Sequence, residues 1–216
     1  MSLSNHDTEG SPKRSTTLGE WLSEGPFALA MSSGFFGFFA HTGFLAVLEE
    51  SGLVPQRIAG SSAGALVGGM FASGLDTDVL ARELMGLKRE HFWDPAPGPG
   101  LLRGRLFLQG IEDLLEARTF ETCRIPVSVS AFHLRTRTTR VLSRGALAPA
   151  LCASCAVPAM FHPMRVGGER YWDGGIYDRP GLLGLAEHEA SGGRVLFHHL
   201  ESRSPWRALD TEGGQS

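Results

Sequence analysis

The sequence predicts an α/β domain on a mainly parallel sheet, and three observations carry that expectation. Residues 26–31, Pro-Phe-Ala-Leu-Ala-Met, form an unbroken apolar run that suits a strand buried on both faces. A small-residue loop and a helix-like stretch follow, and then a second strand, turn and helix centre on Gly60-Ser61-Ser62-Ala63-Gly64. The alternation of strand and helix continues to about residue 200 with no internal repeat, the order expected of layers packed on a parallel sheet. Two such turns at one sheet edge bring two helix N-termini together.

Taken in order, residues 1–24 are polar and rich in Ser, Thr and charge, and most of them are expected to form a loose tail ahead of a domain spanning 25–200. The first strand leads into the loop Ser32-Ser33-Gly34-Phe35-Phe36-Gly37. A helix over 38–50 is expected, with Phe44, Leu45, Val47 and Leu48 as its apolar bulk and Gly52 and Pro55 as its stop. Residues 76–87 read as a helix capped by Asp76 or Thr77. Residues 93–104, broken by three prolines, read as a surface loop or lid. A helix over 107–118, a strand over 126–133 and a hairpin partner over 138–142 follow. Then come a small-residue helix over 146–156, two short strands around Gly167-Gly168, a last strand within 194–200 and a tail over 201–216.

Composition bounds the function. A length of 216 residues, 42% of them hydrophobic, supports one sizeable core. The formal net charge is −3 and there is no basic block, which argues against nucleic acid as a partner. Cys123, Cys152 and Cys155 are an odd number with no secretion signal ahead of them, so free thiols in a reducing, cytoplasmic setting are expected. Cys152 and Cys155 form a C-x-x-C without a second pair at zinc spacing, and are expected as small core residues on one helix face. A membrane reading competes: residues 25–48 and 58–75 lack Asp, Glu, Lys and Arg, and each is long enough to span a bilayer as half of a two-helix hairpin. The five glycines and three serines of the second stretch weigh against insertion.

Acyl transfer by a serine needs a nucleophile, a proton acceptor and donors for the developing oxyanion. A G-x-S-x-G turn between strand and helix supplies the first, since it holds its serine strained and exposed; Gly60 and Gly64 flank Ser62 because a Cβ there would collide with strand or helix. With 28 glycines in the chain the pentapeptide alone is a weak signal. The loop after the first strand could supply amides, with those near Ser33, Gly34 and Phe35 expected to face the attacked carbonyl. Asp173, followed by Gly174 and Gly175, could accept the proton. His188, His198 or His199 would complete a triad in the chain order of an α/β-hydrolase, which is the competing assignment. His41 and His162 have no role derivable from sequence.

Ser32-Ser33-Gly34-Phe35-Phe36-Gly37, Gly60-Ser61-Ser62-Ala63-Gly64 and Asp173-Gly174-Gly175, in that order, resemble the motifs of the patatin-like phospholipases. The stretch from Ala40 to Glu50 is similar to that family's first helix, and that from Ala153 to Pro163 to its approach to the aspartate. The resemblance covers about residues 26–200. It implies a three-layer α/β/α sandwich and a Ser62–Asp173 dyad acting on lipid acyl esters through an acyl-enzyme, without calcium, other metal or cofactor. It also implies a lipid or small ester as partner and a peripheral contact with a membrane surface; oligomeric state is left open. The family's first loop is usually G-G-G-x-R-G, whereas Ser32 and Ser33 replace two glycines here and Phe36 replaces the arginine. Asp178-Arg179-Pro180 stands for the usual Asp-Asn-x-Pro. The lost arginine admits an alternative, a lipid-binding homologue with weak catalysis. Phe35, Phe36, Phe38 and Phe39 are expected mostly as core rings, a lipid-facing lip being the other reading.

Overall fold

The structure is a computed structural model and describes residues 16–201. Its elements are α1 (Leu18–Ser23), β1 (Ala28–Met31), α2 (Gly37–Glu50), β2 (Arg57–Ser61), α3 (Ala63–Ser73), α4 (Thr77–Met85), β3 (Gly100–Leu102) and α5 (Arg105–Leu114). They continue with β4 (Val127–His133), β5 (Thr138–Leu142), α6 (Leu147–Ser154), β6 (Ala159–Phe161), β7 (Met164–Val166), β8 (Glu169–Asp173), α7 (Ala186–Ala190) and β9 (Val195–His198). Seven strands form one sheet in the order β7-β8-β4-β2-β1-β9, with β5 paired to β4. The central pairings β1–β2, β1–β9 and β2–β4 are parallel, and the β4–β5, β4–β8 and β7–β8 pairings are antiparallel.

The two faces of the sheet are unequal, and the sequence of β1 says why. Leu29 and Met31 point into the main core with Ile58, Val127 and Val129, beneath α3 and α6. Ala28 and Ala30 point the other way and pack with Ala59 and Leu185. Alternation along a strand sends large residues to one face and small ones to the other. The thin face suits close approach of the segment from Gly181 to Ala190: a Cβ on Gly181, whose φ is +74°, would lie 2.6 Å from the Met31 carbonyl oxygen. The outcome is a three-layer α/β/α sandwich with one thick and one thin layer.

Every residue of α3 is buried. A helix apolar all round needs neighbours on every side, and α3 has the sheet below, α2 on one flank and α6 on the other. A Cβ at Gly68 would lie 2.8 Å from Ile58 Cγ2. Gly68 therefore sets how closely the helix lies on the sheet.

Some local details depart from the sequence reading. Residues 1–15 of the expected N-terminal tail, and all but residue 201 of the C-terminal one, lie outside the described residues. The end of the N-terminal stretch forms α1, started by a Thr17–Glu20 capping box and anchored by buried Leu22. The start of α4 has no side-chain cap from Asp76; the Glu49 carboxylate of α2 accepts from Thr77 N at 3.1 Å and Thr77 Oγ1 at 2.5 Å. The proline-rich stretch 93–104 contains β3, paired with β6, and is tied to α5 by the Asp94 carboxylate, which accepts from Gly104 N and Arg105 N at 3.0 and 2.7 Å. Both uncharged stretches that could have been membrane spans divide into a strand and a helix, and their helices have 14 and 11 residues. Among the described residues no helix is long and apolar enough to cross a membrane.

Candidate active site

The site is built on one strand. Along β4, Ser130 pairs with Ser61 at the end of β2, and the next residue, Ala131, pairs with Asp173 at the end of β8. β5 occupies the opposite edge of β4 from Val129 to His133, so β2 and β8 share an edge and meet end to end. Their last residues are adjacent in register although far apart in sequence. Ser62 then follows β2, and its Oγ donates to Asp173 Oδ2 at 2.7 Å.

Ser62 has φ 50° and ψ −119°, a sparsely populated conformation for a residue with a Cβ. The strain persists because the turn is packed on both sides. A Cβ at Gly60 would lie 2.6 Å from Ala65 N, and one at Gly64 would collide with the Met31 carbonyl. Both flanking glycines therefore have the steric reason the motif predicts, and among the described residues no side chain caps the start of α3 at Ala63.

The end of α6 pins the turn from below. Ser154 Oγ accepts from Ser62 N at 2.9 Å and donates to the Ser130 carbonyl at 2.7 Å. The Cys155 thiol donates to the Ser62 carbonyl at 3.2 Å, and Ala156 O accepts from Asp173 N at 3.0 Å. One helix end thus holds both halves of the site. Cys152 is buried in α6 and Cys155 follows its end. Burial pushes the Cys155 thiol well above its usual range, helped by the nearby Asp173 charge, so it stays a neutral donor.

Asp173 is 7% exposed. Its Oδ1 accepts from Gly175 N at 2.7 Å, so each oxygen has one donor. Desolvation raises its pKa from 3.8 to about 6, against the opposing pull of the Ser62 and Gly175 hydrogen bonds and of Arg179. Gly174 is glycine for contact reasons: a Cβ there would collide with the Ser130 carbonyl and lie 2.8 Å from Ser61 Oγ. A Cβ at Gly175 would lie 2.9 Å from Ser33, which brings the aspartate turn against the loop after β1.

That loop differs in part from expectation. Ser32 N donates to His198 O at 3.2 Å and Ser33 N to Arg179 O at 2.7 Å, so the Ser33 amide is not free to meet a substrate. The turn at Asp178-Arg179-Pro180 closes on it. Asp178 holds that turn, since it is buried and accepts from Ser130 Oγ at 2.5 Å and from Gly181 N at 3.0 Å. Among the described residues the amides of Gly34, Phe35, Phe36 and Ala63 donate to no partner. Phe36 adopts a left-handed conformation, φ 58°, at the start of α2, and Gly37 N donates back to Gly34 O at 2.9 Å.

The four phenylalanines are also not mostly core. Phe35, Phe36 and Phe39 are 69%, 63% and 48% exposed, and only Phe38 packs against the core. Val47, expected as bulk of α2, is exposed as well. The buried stripe of α2 is Gly37, His41, Thr42, Leu45 and Leu48 with Phe38 half-buried beside it, and Phe39, Ala40, Gly43 and Val47 face outward.

No described histidine bonds to Ser62 or Asp173. His188 Nε2 lies 3.2 Å from Arg194 O, His198 faces His41, and His199 packs on Phe197. Sequence reasoning missed Ser154 and Asp178 as supports of the site. Ser154 carried one weak signal, a hydroxyl amid the small apolar residues of α6.

A family model described as patatin-like phospholipase matches residues 29–185. The chain belongs to the patatin-like phospholipase family. It is 35% identical over 155 residues to an uncharacterized NTE family protein of Mycobacterium tuberculosis, across 70% of this chain and 43% of that protein. It is 23% identical over 208 residues to a lysophospholipase NTE1 of Debaryomyces hansenii, across 91% of this chain and 13% of that protein. The chain therefore spans less than half the length of these relatives. Among solved structures it resembles VipD from Legionella pneumophila, with a TM-score of 0.58 and 16% identity over 71% of this chain and 46% of that one, a likeness of fold.

Proposed function

We propose that this chain is a serine acyl hydrolase that cleaves lipid acyl esters with a Ser62–Asp173 dyad. The observation that carries the reading is the 2.7 Å hydrogen bond from Ser62 Oγ to Asp173 Oδ2 at a strained strand–helix turn. In the first step Ser62 Oγ attacks the ester carbonyl carbon and its proton passes to Asp173 Oδ2. The carbonyl oxygen gains the negative charge, and the unpartnered amides of Gly34, Phe35 and Ala63 are the donors assigned to it. Collapse of the tetrahedral intermediate expels the alcohol, which takes the proton from Asp173, and leaves an acyl-Ser62. Water then attacks this ester with Asp173 again accepting the proton, and the bond to Ser62 Oγ breaks as Oγ takes that proton back and the fatty acid leaves. A carboxyl raised to about 6 is a better base than an ordinary aspartate and still ionised at pH 7.

Lipid as the substrate class follows from the family, and the name of the yeast relative, lysophospholipase, makes single-chain phospholipids the first substrates to try. Phe35, Phe36 and Phe39 stand exposed beside the site and are proposed as the surface that meets a lipid aggregate. The cytoplasmic setting, peripheral at membranes, is part of the same proposal.

Labelling by a fluorophosphonate probe tests the reading. We expect Ser62 to be modified, Ser62→Ala and Asp173→Asn to abolish both labelling and hydrolysis of p-nitrophenyl esters and lysophospholipids, and both variants to remain folded. The second reading, a lipid-binding homologue without turnover, is favoured by Phe36 in place of the family's arginine. Folded protein that neither labels at Ser62 nor hydrolyses any ester decides for it.

A further inference from the structure

His41 lies on α2, fully buried, with each ring nitrogen in a short contact. Its Nε2 is 2.8 Å from the Ser32 carbonyl oxygen, and its Nδ1 is 2.8 Å from Nδ1 of His198, at the end of β9. The chemistry of the partners fixes every proton. A carbonyl oxygen only accepts, so His41 Nε2 carries hydrogen. In the neutral ring His41 Nδ1 is then an acceptor, and His198 Nδ1 must be the donor that faces it. The chain of hydrogen bonds runs one way, from His198 through His41 to Ser32. Burial, which lowers the pKa of His41 to about 4, keeps that ring neutral. A proton added to His41 Nδ1 would set two N–H groups head to head.

The end of this chain matters because the Ser32–Ser33 peptide starts the loop assigned to the oxyanion. Its carbonyl is held by His41 and its N–H by Arg179 O at 2.7 Å, so the peptide plane is fixed from both sides. Ser32 N also donates to His198 O, and Ser32 Oγ accepts from Leu200 N at 2.9 Å. The His198 ring is clamped in turn, stacked on Phe44 with centroids 4.0 Å apart and planes within 8°. The two imidazoles therefore tie the last strand of the sheet to the first residue of the loop.

We propose that His41 and His198 are positioning residues, a two-imidazole relay that orients the Ser32–Ser33 peptide and through it the amides of Gly34 and Phe35. The proposal rests on the hydrolase reading only for its effect on rate. Neither histidine touches the Ser62–Asp173 pair; the relay acts through the backbone.

The test uses His198→Leu, which removes the donor while keeping an apolar filler, and His198→Asn, whose side-chain amide can donate from the Nδ1 position. His198 is half-buried at a strand end, so both variants are expected to fold. Long-range proton–nitrogen spectra of the wild type should show hydrogen on Nδ1 of His198 and on Nε2 of His41. His198→Leu should move the amide resonances from Ser33 to Phe36 and lower kcat on a soluble ester by about tenfold with KM nearly unchanged, the pattern of a misplaced transition-state donor. His198→Asn should restore both. Hydrogen on Nε2 of His198, or equal effects of Leu and Asn, would overturn the relay. Should the wild type hydrolyse nothing, the hydrolase reading fails while the tautomer and amide measurements still decide the relay.

Discussion

Asp173 has its acidity set by where it sits. The native carboxyl keeps its proton up to about pH 6, whereas an ordinary aspartate in the unfolded chain gives it up near 3.8. Between those values the native state holds the extra proton, so stability declines as pH rises through the window and the charged form stays costly above it. A shift of this size corresponds to roughly 3 kcal/mol at most. Asp173→Asn removes that cost, and thermal melts should find the variant as stable as the wild type or more so at pH 8, with the advantage gone below pH 4. The same shift places the acid limb of hydrolysis. The wild-type rate constant kcat/KM on a soluble ester should rise with pH through about 6 and level off above it. A profile flat from pH 4.5 to 8 would remove Asp173 as the base. Phe36→Arg belongs to the same scale. The donors proposed for the oxyanion are backbone amides, so adding the family's positive charge should leave hydrolysis of soluble esters equal or higher.

At the level of elements, β2, its turn and α3 act as one unit, supported by α6. Ser154→Ala would leave the Ser62 amide and the Ser130 carbonyl without their partner, and each buried group left unsatisfied costs about 1–3 kcal/mol. We expect a melting point several degrees lower and slower labelling of Ser62, measured on the same sample. Gly64→Ala should do more harm, because the new Cβ meets backbone carbonyls that cannot turn aside. Loss of labelling with roughly 1–3 kcal/mol of stability is the expected reading from denaturant melts. The strand–turn–helix around Ser62 was legible in the sequence because its signals are local: an apolar run, glycines at two fixed places, then small residues. Asp173 was legible from the glycines after it. That β2 and β8 share an edge of β4 was not, since register between distant strands depends on pairings no local pattern records. Ser154 and His41 were hidden for the same reason, as their partners lie 92 and 157 residues away. The four phenylalanines misled because Phe35 and Phe36 precede α2, and Phe38 and Phe39 point about 100° apart on it, so which ring is buried depends on how the helix lies on its neighbours.

In the molecule as a whole, one long stretch of the first half carries no charged residue. From Gly25 to Leu48 there is no Asp, Glu, Lys or Arg. The outward residues of α2 and its entry loop, Phe35, Phe36, Phe39, Ala40, Gly43 and Val47, are exposed. The aspartate turn continues into Ile176 and Tyr177, which are also exposed. A surface rich in exposed aromatic rings beside the proposed site for lipid esters suits the boundary of a neutral lipid aggregate, where burying a ring contributes about 1.5–3 kcal/mol. Phe39 is the residue to test, because it lies on α2 outside the loop that holds the amides, and its loss should not disturb them. Phe39→Ser should weaken sedimentation with phosphatidylcholine vesicles by about tenfold, the equivalent of one ring at 1.4 kcal/mol per decade. Its kcat/KM on a soluble p-nitrophenyl ester should stay near the wild-type value. Vesicle binding that survives Phe39→Ser unchanged would mean that the lipid surface is met elsewhere. An equal fall in both measurements would instead place Phe39 in the support of the site.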